Sequence, residues 1–274
     1  MVIASLAGVA TGGQPAVQAG SPASASVRQH ATPRLQADRA AIRPGGEVML
    51  ALRFEIEREW HLYWPGLNDT GLPPTIRLTL PPGFIAKEPL WPAPARHVST
   101  GGIVDHIYEK ELVVLIPVSV PGNAGDGTAA EFSIESDWLV CSNVCVPESG
   151  AVNLSVPVGV EEVKSPQWQD IEKAKGRLAR PLSEAGGRVV ATADKRGLRV
   201  SAPGAVMISF FPAEDSLPPM DIARDGEVKG SSLSVALAPA EGGTDKPPHI
   251  KGIIAVSIAG EAGTRHYTVD LPIR

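Results

Sequence analysis

Two cysteines, Cys141 and Cys145, carry the widest chemical repertoire in this 274-residue chain. Three residues separate them, Ser142-Asn143-Val144. Along a straight strand four residues cover about 13 Å, roughly twice the Cα separation that a disulfide tolerates. The segment must therefore fold back before the sulfurs can meet. Ser142-Asn143 supplies turn chemistry, which makes a hairpin tip or an adjacent turn the natural place for a bridge.

Such a ring is small, and loop closure over five residues is worth only about 2 kcal/mol. A short bridge in a turn is a poor staple. It is better suited to opening and closing, because strain raises a reduction potential and exposure admits an attacking thiolate. Spacing alone leaves three readings open: a structural staple, redox exchange, and metal binding by the reduced pair. No Lys or Arg occurs between Lys110 and Lys164, whereas Asp137 and Glu148 lie close along the chain. Nothing local stabilises a thiolate, so a passive electron carrier fits better than a self-activated oxidant.

The elements that must position this pair are strands. Runs rich in aliphatic and β-branched residues, broken by Pro/Gly clusters, predict strands over Glu47–Ile56, Thr75–Leu80, Glu111–Val120, Glu131–Val140 and Ala151–Val158. The 28 glycines and 26 prolines, near a fifth of the chain, fit many turns and short strands but not low complexity. Trp168, Ile171, Ala174, Lys175 and Leu178 fall at helical spacing within Gln167–Leu178. Strand patterns resume from Arg188 to Leu271. The expected fold class is all-β: two immunoglobulin-like β-sandwich domains joined by a short helical linker. Expected boundaries are 1–32 for a leader, 33–160 for the first sandwich, 161–185 for the linker and 186–274 for a smaller second sandwich.

Several functions are disfavoured. Thirty acidic against twenty-five basic residues give a net charge of −5, the wrong sign for a nucleic-acid partner. No G-x-S-x-G elbow, P-loop or H-E-x-x-H motif is present. No window has the 18 or more apolar residues of a membrane span. Met1–Ala10 is small and apolar, and Val17-Gln18-Ala19 or Ala23-Ser24-Ala25 suits signal-peptidase cleavage, although no Lys or Arg precedes Arg28. An exported, soluble protein is expected, with no cofactor and no resident metal.

Other side chains have candidate roles. Trp60, Tyr63, Trp64, Trp91 and Trp138 enrich the first half in aromatics. They are expected mainly in the core, with Trp138 and Tyr63 as candidates for a hydrophobic rim on which a partner docks. His61, His97 and His106 could join two thiolates in a copper(I) or zinc site. Asp105 and His106 are candidates for moving the thiol proton.

An ordered series of motifs is more specific. Trp60-His61-Leu62-Tyr63-Trp64-Pro65-Gly66 is followed by Gly71-Leu72-Pro73-Pro74, Leu80-Pro81-Pro82-Gly83-Phe84 and Trp91-Pro92-Ala93-Pro94. Tyr108-Glu109-Lys110-Glu111 comes next, then Asp137-Trp138-Leu139-Val140-Cys141 running on to Cys145-Val146-Pro147. Over roughly residues 35–160 the series resembles the N-terminal periplasmic domain of the thiol:disulfide interchange protein DsbD, most nearly its ScsB-type (suppressor of copper sensitivity) relatives. Phe210-Phe211-Pro212 and Lys251-Gly252-Ile253-Ile254 extend a weaker similarity into the second half.

The resemblance implies a periplasmic immunoglobulin-like sandwich whose cysteine pair, here Cys141 and Cys145, takes electrons from a membrane reductase and passes them to thioredoxin-fold proteins. It also implies a cap loop that shields the cysteines, by position Val104, Asp105, His106, Ile107 and Tyr108, with Ile107 or Tyr108 as the shield. Cys141 is expected to meet the partner and Cys145 to resolve. The cysteine spacing is shorter than in DsbD itself. The sequence contains neither the membrane core nor a thioredoxin-like domain, so the expected electron donor is a separate membrane-embedded chain. The rivals are a secreted, non-catalytic binding module with a structural bridge, and a copper-handling protein.

Overall fold

The computed structural model describes residues 28–216, 227–236 and 249–273, with backbone only over 227–229. The leader and its cleavage sites lie outside the described residues, apart from the last few positions. Regular pairing already begins at Ala31, where Ala31–Ala37 forms a strand, two residues inside the expected leader.

The fold is all-β and immunoglobulin-like. One sheet has four strands in the order Ala31–Ala37, Glu47–Ile56, Glu111–Ser119 and Ile85–Ala86. Facing it is a six-stranded sheet, in which Cys145–Pro157, Ala129–Cys141, His61–Tyr63, Val104–Glu109 and Ala95–Val98 follow in order, and Arg77–Thr79 pairs with Ala129–Cys141. Alternation explains the packing: Leu50, Leu52 and Phe54 from one sheet meet Leu62, Phe132, Ile134, Trp138 and Val140 from the other in one buried cluster.

The apolar run Leu112–Ile116 has no polar face to offer water. Leu112, Val114 and Ile116 enter that core, while Val113 and Leu115 point outward with Ala51. The Trp168–Lys175 helix covers this outer face with Ile171 and Ala174. The helix expected as a linker is thus a packed layer of the first sandwich, and the patch of sheet it covers, around Ala51, Val113 and Leu115, is buried on both sides.

In the second half, Arg180–Pro181, Arg265–Pro272, His249–Ile258 and Ala205–Pro212 form one sheet. Val190–Asp194, Gly197–Ser201, Ser232–Ala236 and Glu227–Lys229 form another. Leu198, Val200, Leu233, Ile254 and Val256 fill the space between them. This half also reaches the first: Phe211, Ile253 and Ala255 join the larger core, and the Leu67 N–H donates to the Pro212 carbonyl at 3.0 Å. Among the described residues, no helix is long and apolar enough to cross a membrane.

Candidate functional site: a disulfide at a hairpin tip

Ala129–Cys141 and Cys145–Pro157 are thirteen-residue antiparallel strands, and Cys141 opposite Cys145 is their last register pair. The reversal is closed by the Ser142 N–H donating to the Val144 carbonyl at 2.9 Å. Such a tip brings the two Cα atoms to 4.1 Å, and the sulfurs are joined at 2.06 Å.

The two cysteines have unlike surroundings. Cys141 lies on an interior strand, flanked by Cys145 on one side and His61 on the other, and is only 1% exposed. Cys145 lies on the edge strand and is exposed, next to Val144, which is 62% exposed. Sheet position therefore decides which sulfur a second protein can reach.

Cys141 packs with Tyr63, Ile107 and the partly buried Leu139. His61 and Tyr63, two apart on one strand, share that face, and the His61 Nε2 and Tyr63 hydroxyl are 3.3 Å apart. The His97 ring lies 5.5 Å from the His61 ring. Burial, reinforced by His97, pushes the His61 pKa below its ordinary value against the opposing pull of Asp105 and Glu109. The imidazole is consequently neutral at pH 7. Burial raises the Tyr63 phenol, which stays protonated.

This outer face is covered by the segment after His61–Tyr63. The Thr70 N–H and hydroxyl donate to the two carboxylate oxygens of Asp105 at 3.0 and 2.7 Å. The Asp69 N–H donates to the Val104 carbonyl at 3.0 Å, and the Val104 N–H to the Asp69 carboxylate at 2.6 Å. The His106 N–H donates to the Asn68 side-chain oxygen at 2.7 Å. These bonds hold Gly71 flat against Tyr63, where a Cβ would fall inside the phenol ring. Leu72, the next residue, is 72% exposed.

Residues 30–157 match the family described as the N-terminal part of the thiol:disulfide interchange protein DsbD. This stretch of the chain, a little under half of it, is similar to DsbD N-terminal domains. The N-terminal periplasmic domain of ScsB from Proteus mirabilis is similar at 18% identity, with a TM-score of 0.60 over 89% of this chain and 94% of that one. The DsbD N-terminal domain from Neisseria meningitidis, in its reduced form, matches at 15% identity over 47% of this chain and 86% of that one, with a TM-score of 0.31. No curated protein matches the chain.

Within residues 30–157 the anticipated cap residues take a different form. Val104–Glu109 is a strand and not a loop, paired on both edges, so its side chains alternate between faces. Ile107 touches the Cys141 cluster, and Asp105 is occupied in holding Thr70. Tyr108 points into the sandwich core, where its hydroxyl donates to the Pro92 carbonyl at 2.7 Å and burial raises its pKa well above the ordinary value. His106 also faces away from the disulfide, edge-on to Trp64 and Phe211. Ile107 thus packs on the Cys141 side of the sheet, and Asn68–Gly71 add a cover over Tyr63 and Asp105 on the same face.

The expected docking pair is likewise displaced. Trp138 is 4% exposed, edge-on to Phe54 at 5.0 Å, with its indole N–H donating to Glu148 at 2.9 Å. Glu148 also accepts the His30 and Ala31 backbone N–H groups at 2.7 and 3.2 Å. Trp138 and Glu148 thus tie the first strand to the cysteine hairpin. Tyr63 is 2% exposed, so it has no surface to offer while Gly71 covers it. Among the described residues, no group of three or more His, Cys, Asp or Glu is arranged to hold a metal; His61 and His97 share a face that His106 does not.

Nothing in the sequence singles out Thr70 or Gly71 as site residues, and His61 stands out there only as a possible metal ligand. The period-two spacing of His61 and Tyr63 is the signal that places them on one face.

Proposed function

We propose that the chain relays electron pairs in the periplasm, taking them from a membrane-embedded reductase and passing them to thioredoxin-fold proteins through reversible opening of the Cys141–Cys145 disulfide. The observation that carries this reading is the asymmetry of the pair: one cysteine exposed on an edge strand, the other buried beside it, in a segment that matches the DsbD N-terminal family.

Reduction begins when a donor thiolate attacks Sγ of Cys145. The Cys141–Cys145 bond breaks and Cys141 leaves as a thiolate, which takes up a proton. A second donor thiolate then attacks the donor sulfur of the mixed disulfide, so that the donor leaves oxidised and both cysteines are reduced. Passing electrons onward reverses the roles: Cys145 attacks the acceptor disulfide and Cys141 resolves. This order favours Cys145 as the partner-facing sulfur, the opposite of the sequence-based expectation, because an interior strand leaves Cys141 no approach.

An oxidising compartment suits a disulfide of this kind, and the similar ScsB domain is described as periplasmic. We also place two structural units here, the first completed by the Trp168–Lys175 helix and the second serving as a support on which Trp64 and His106 rest through Phe211.

The test uses the reduced full chain and an oxidised thioredoxin-fold protein. Wild type should lose two electrons to it. The Cys141→Ser variant should accumulate a one-to-one covalent adduct through Cys145. Failure of wild type to exchange, with no adduct from the variant, would contradict the relay.

A further inference from the structure

We infer that His61 is the proton acceptor for the Cys141 thiol in the resolving step. The inference rests on the relay reading above and identifies which side chain makes the buried sulfur a nucleophile.

Cys141 must attack the mixed disulfide as a thiolate, yet it is 1% exposed and has no direct route to bulk water. A base has to lie beside it. His61 is its register partner across the ladder, which places the two Cβ atoms about 4.5–5.5 Å apart on one face. His61 is itself buried, at 8% exposure.

The other titratable groups facing His61 have different duties. Asp105, from the neighbouring strand, has both oxygens engaged by Thr70. Glu109, paired with His61 on that strand, is exposed and solvated. His97 approaches from the next strand beyond. Tyr63, on the same strand as His61, is a protonated phenol in contact with the ring. A neutral imidazole within this set can accept a proton, and Glu109 and Asp105 supply counter-charge to the imidazolium that results.

The step balances as follows. In the mixed disulfide between Cys145 and an acceptor, His61 takes the proton from the Cys141 thiol. The thiolate attacks Sγ of Cys145, the intramolecular disulfide forms, and the acceptor leaves as a thiolate. That thiolate takes a proton from solvent, and the imidazolium returns its own to solvent past Glu109. Two electrons pass from the cysteine pair to the acceptor.

The test oxidises the reduced full chain with glutathione disulfide, quenches in acid at short times, and follows the glutathione adduct by intact mass. In wild type, resolution of the adduct should be nearly independent of pH between about 7 and 8, because burial holds the imidazole below its ordinary pKa. In His61→Gln it should be at least tenfold slower near pH 6.5, in line with the usual size of general-base effects. It should then rise about tenfold per pH unit toward the ordinary thiol pKa of about 8.5. Equal adduct lifetimes and pH profiles in the two proteins would overturn the assignment while leaving exchange intact. A wild-type rate that climbs steadily to pH 8.5 would overturn it without any variant. Wild type that forms neither adduct nor disulfide would overturn the relay reading itself.

Discussion

Cys141 and Cys145 face each other as the closing pair of one hairpin, 4.1 Å apart at Cα, yet only Cys145 meets solvent. The difference follows from sheet order. His61 occupies the far edge of the Cys141 strand at that point, and no strand flanks Cys145 on its outer side. In the Cys141→Ser protein the remaining thiol should react with a bulky maleimide at least tenfold faster than the remaining thiol of Cys145→Ser. Alkylation followed by intact mass checks this, and equal rates would remove the asymmetry on which the proposed attack order depends.

Asp105 spends both carboxylate oxygens on Thr70, and hydrogen bonds to a charged group contribute about 1.5–3 kcal/mol each. Asp105→Asn should therefore loosen residues 68–72 before it unfolds the sandwich. Hydrogen exchange should rise at Thr70 and Gly71 while the Glu47–Ile56 strand stays protected. Unchanged protection at Thr70 would show that the segment is held by other contacts.

Gly71 lies where any side chain would enter the Tyr63 ring. Gly71→Val should lift the segment off Tyr63 and speed reduction of the disulfide by dithiothreitol several-fold, with far-ultraviolet circular dichroism unchanged. Reduction kinetics give the answer, and a rate equal to wild type would mean that this cover does not limit access.

His61 and His266 are both held below their ordinary pKa by burial. In the unfolded chain each titrates near about 6.5, so between that value and the lower folded one the unfolded state binds more protons. Stability is then complete above about pH 6.5, falls as pH drops toward the folded values, and levels off below them. Thermal melts from pH 7.5 to 5.5 should show a falling Tm, with a smaller slope in His61→Gln and in His266→Gln. A slope untouched by both substitutions together would contradict this.

Much of the scaffold was legible from pattern. The strand expected over Glu47–Ile56 forms with those bounds, and the helical spacing in Gln167–Leu178 yields Trp168–Lys175. What that helix covers was not legible. Its partners Ala51, Val113 and Leu115 lie more than fifty residues upstream, and the apolar run Leu112–Ile116 signals burial without naming the cover. Spacing and turn chemistry permit a Cys141–Cys145 bridge without choosing between a staple, a redox pair and a metal site, whereas the asymmetry of the pair depends on which strand lies at the sheet edge, a long-range outcome. Asp105 and His106 are expected in a loop because the resemblance places a cap loop there by position. They are strand residues whose polar groups are satisfied by Asn68–Thr70 and Leu67. Trp138 read as rim because it precedes a cysteine, but a period of two sends it, with Val140, to the face opposite Cys141.

The reduction potential of the Cys141–Cys145 pair, titrated against glutathione or dithiothreitol buffers, tests the central claim most directly. A relay requires a value above about −300 mV, within the range of exchangeable thioredoxin-like carriers. A value below that would mark a permanent structural bridge and contradict the account.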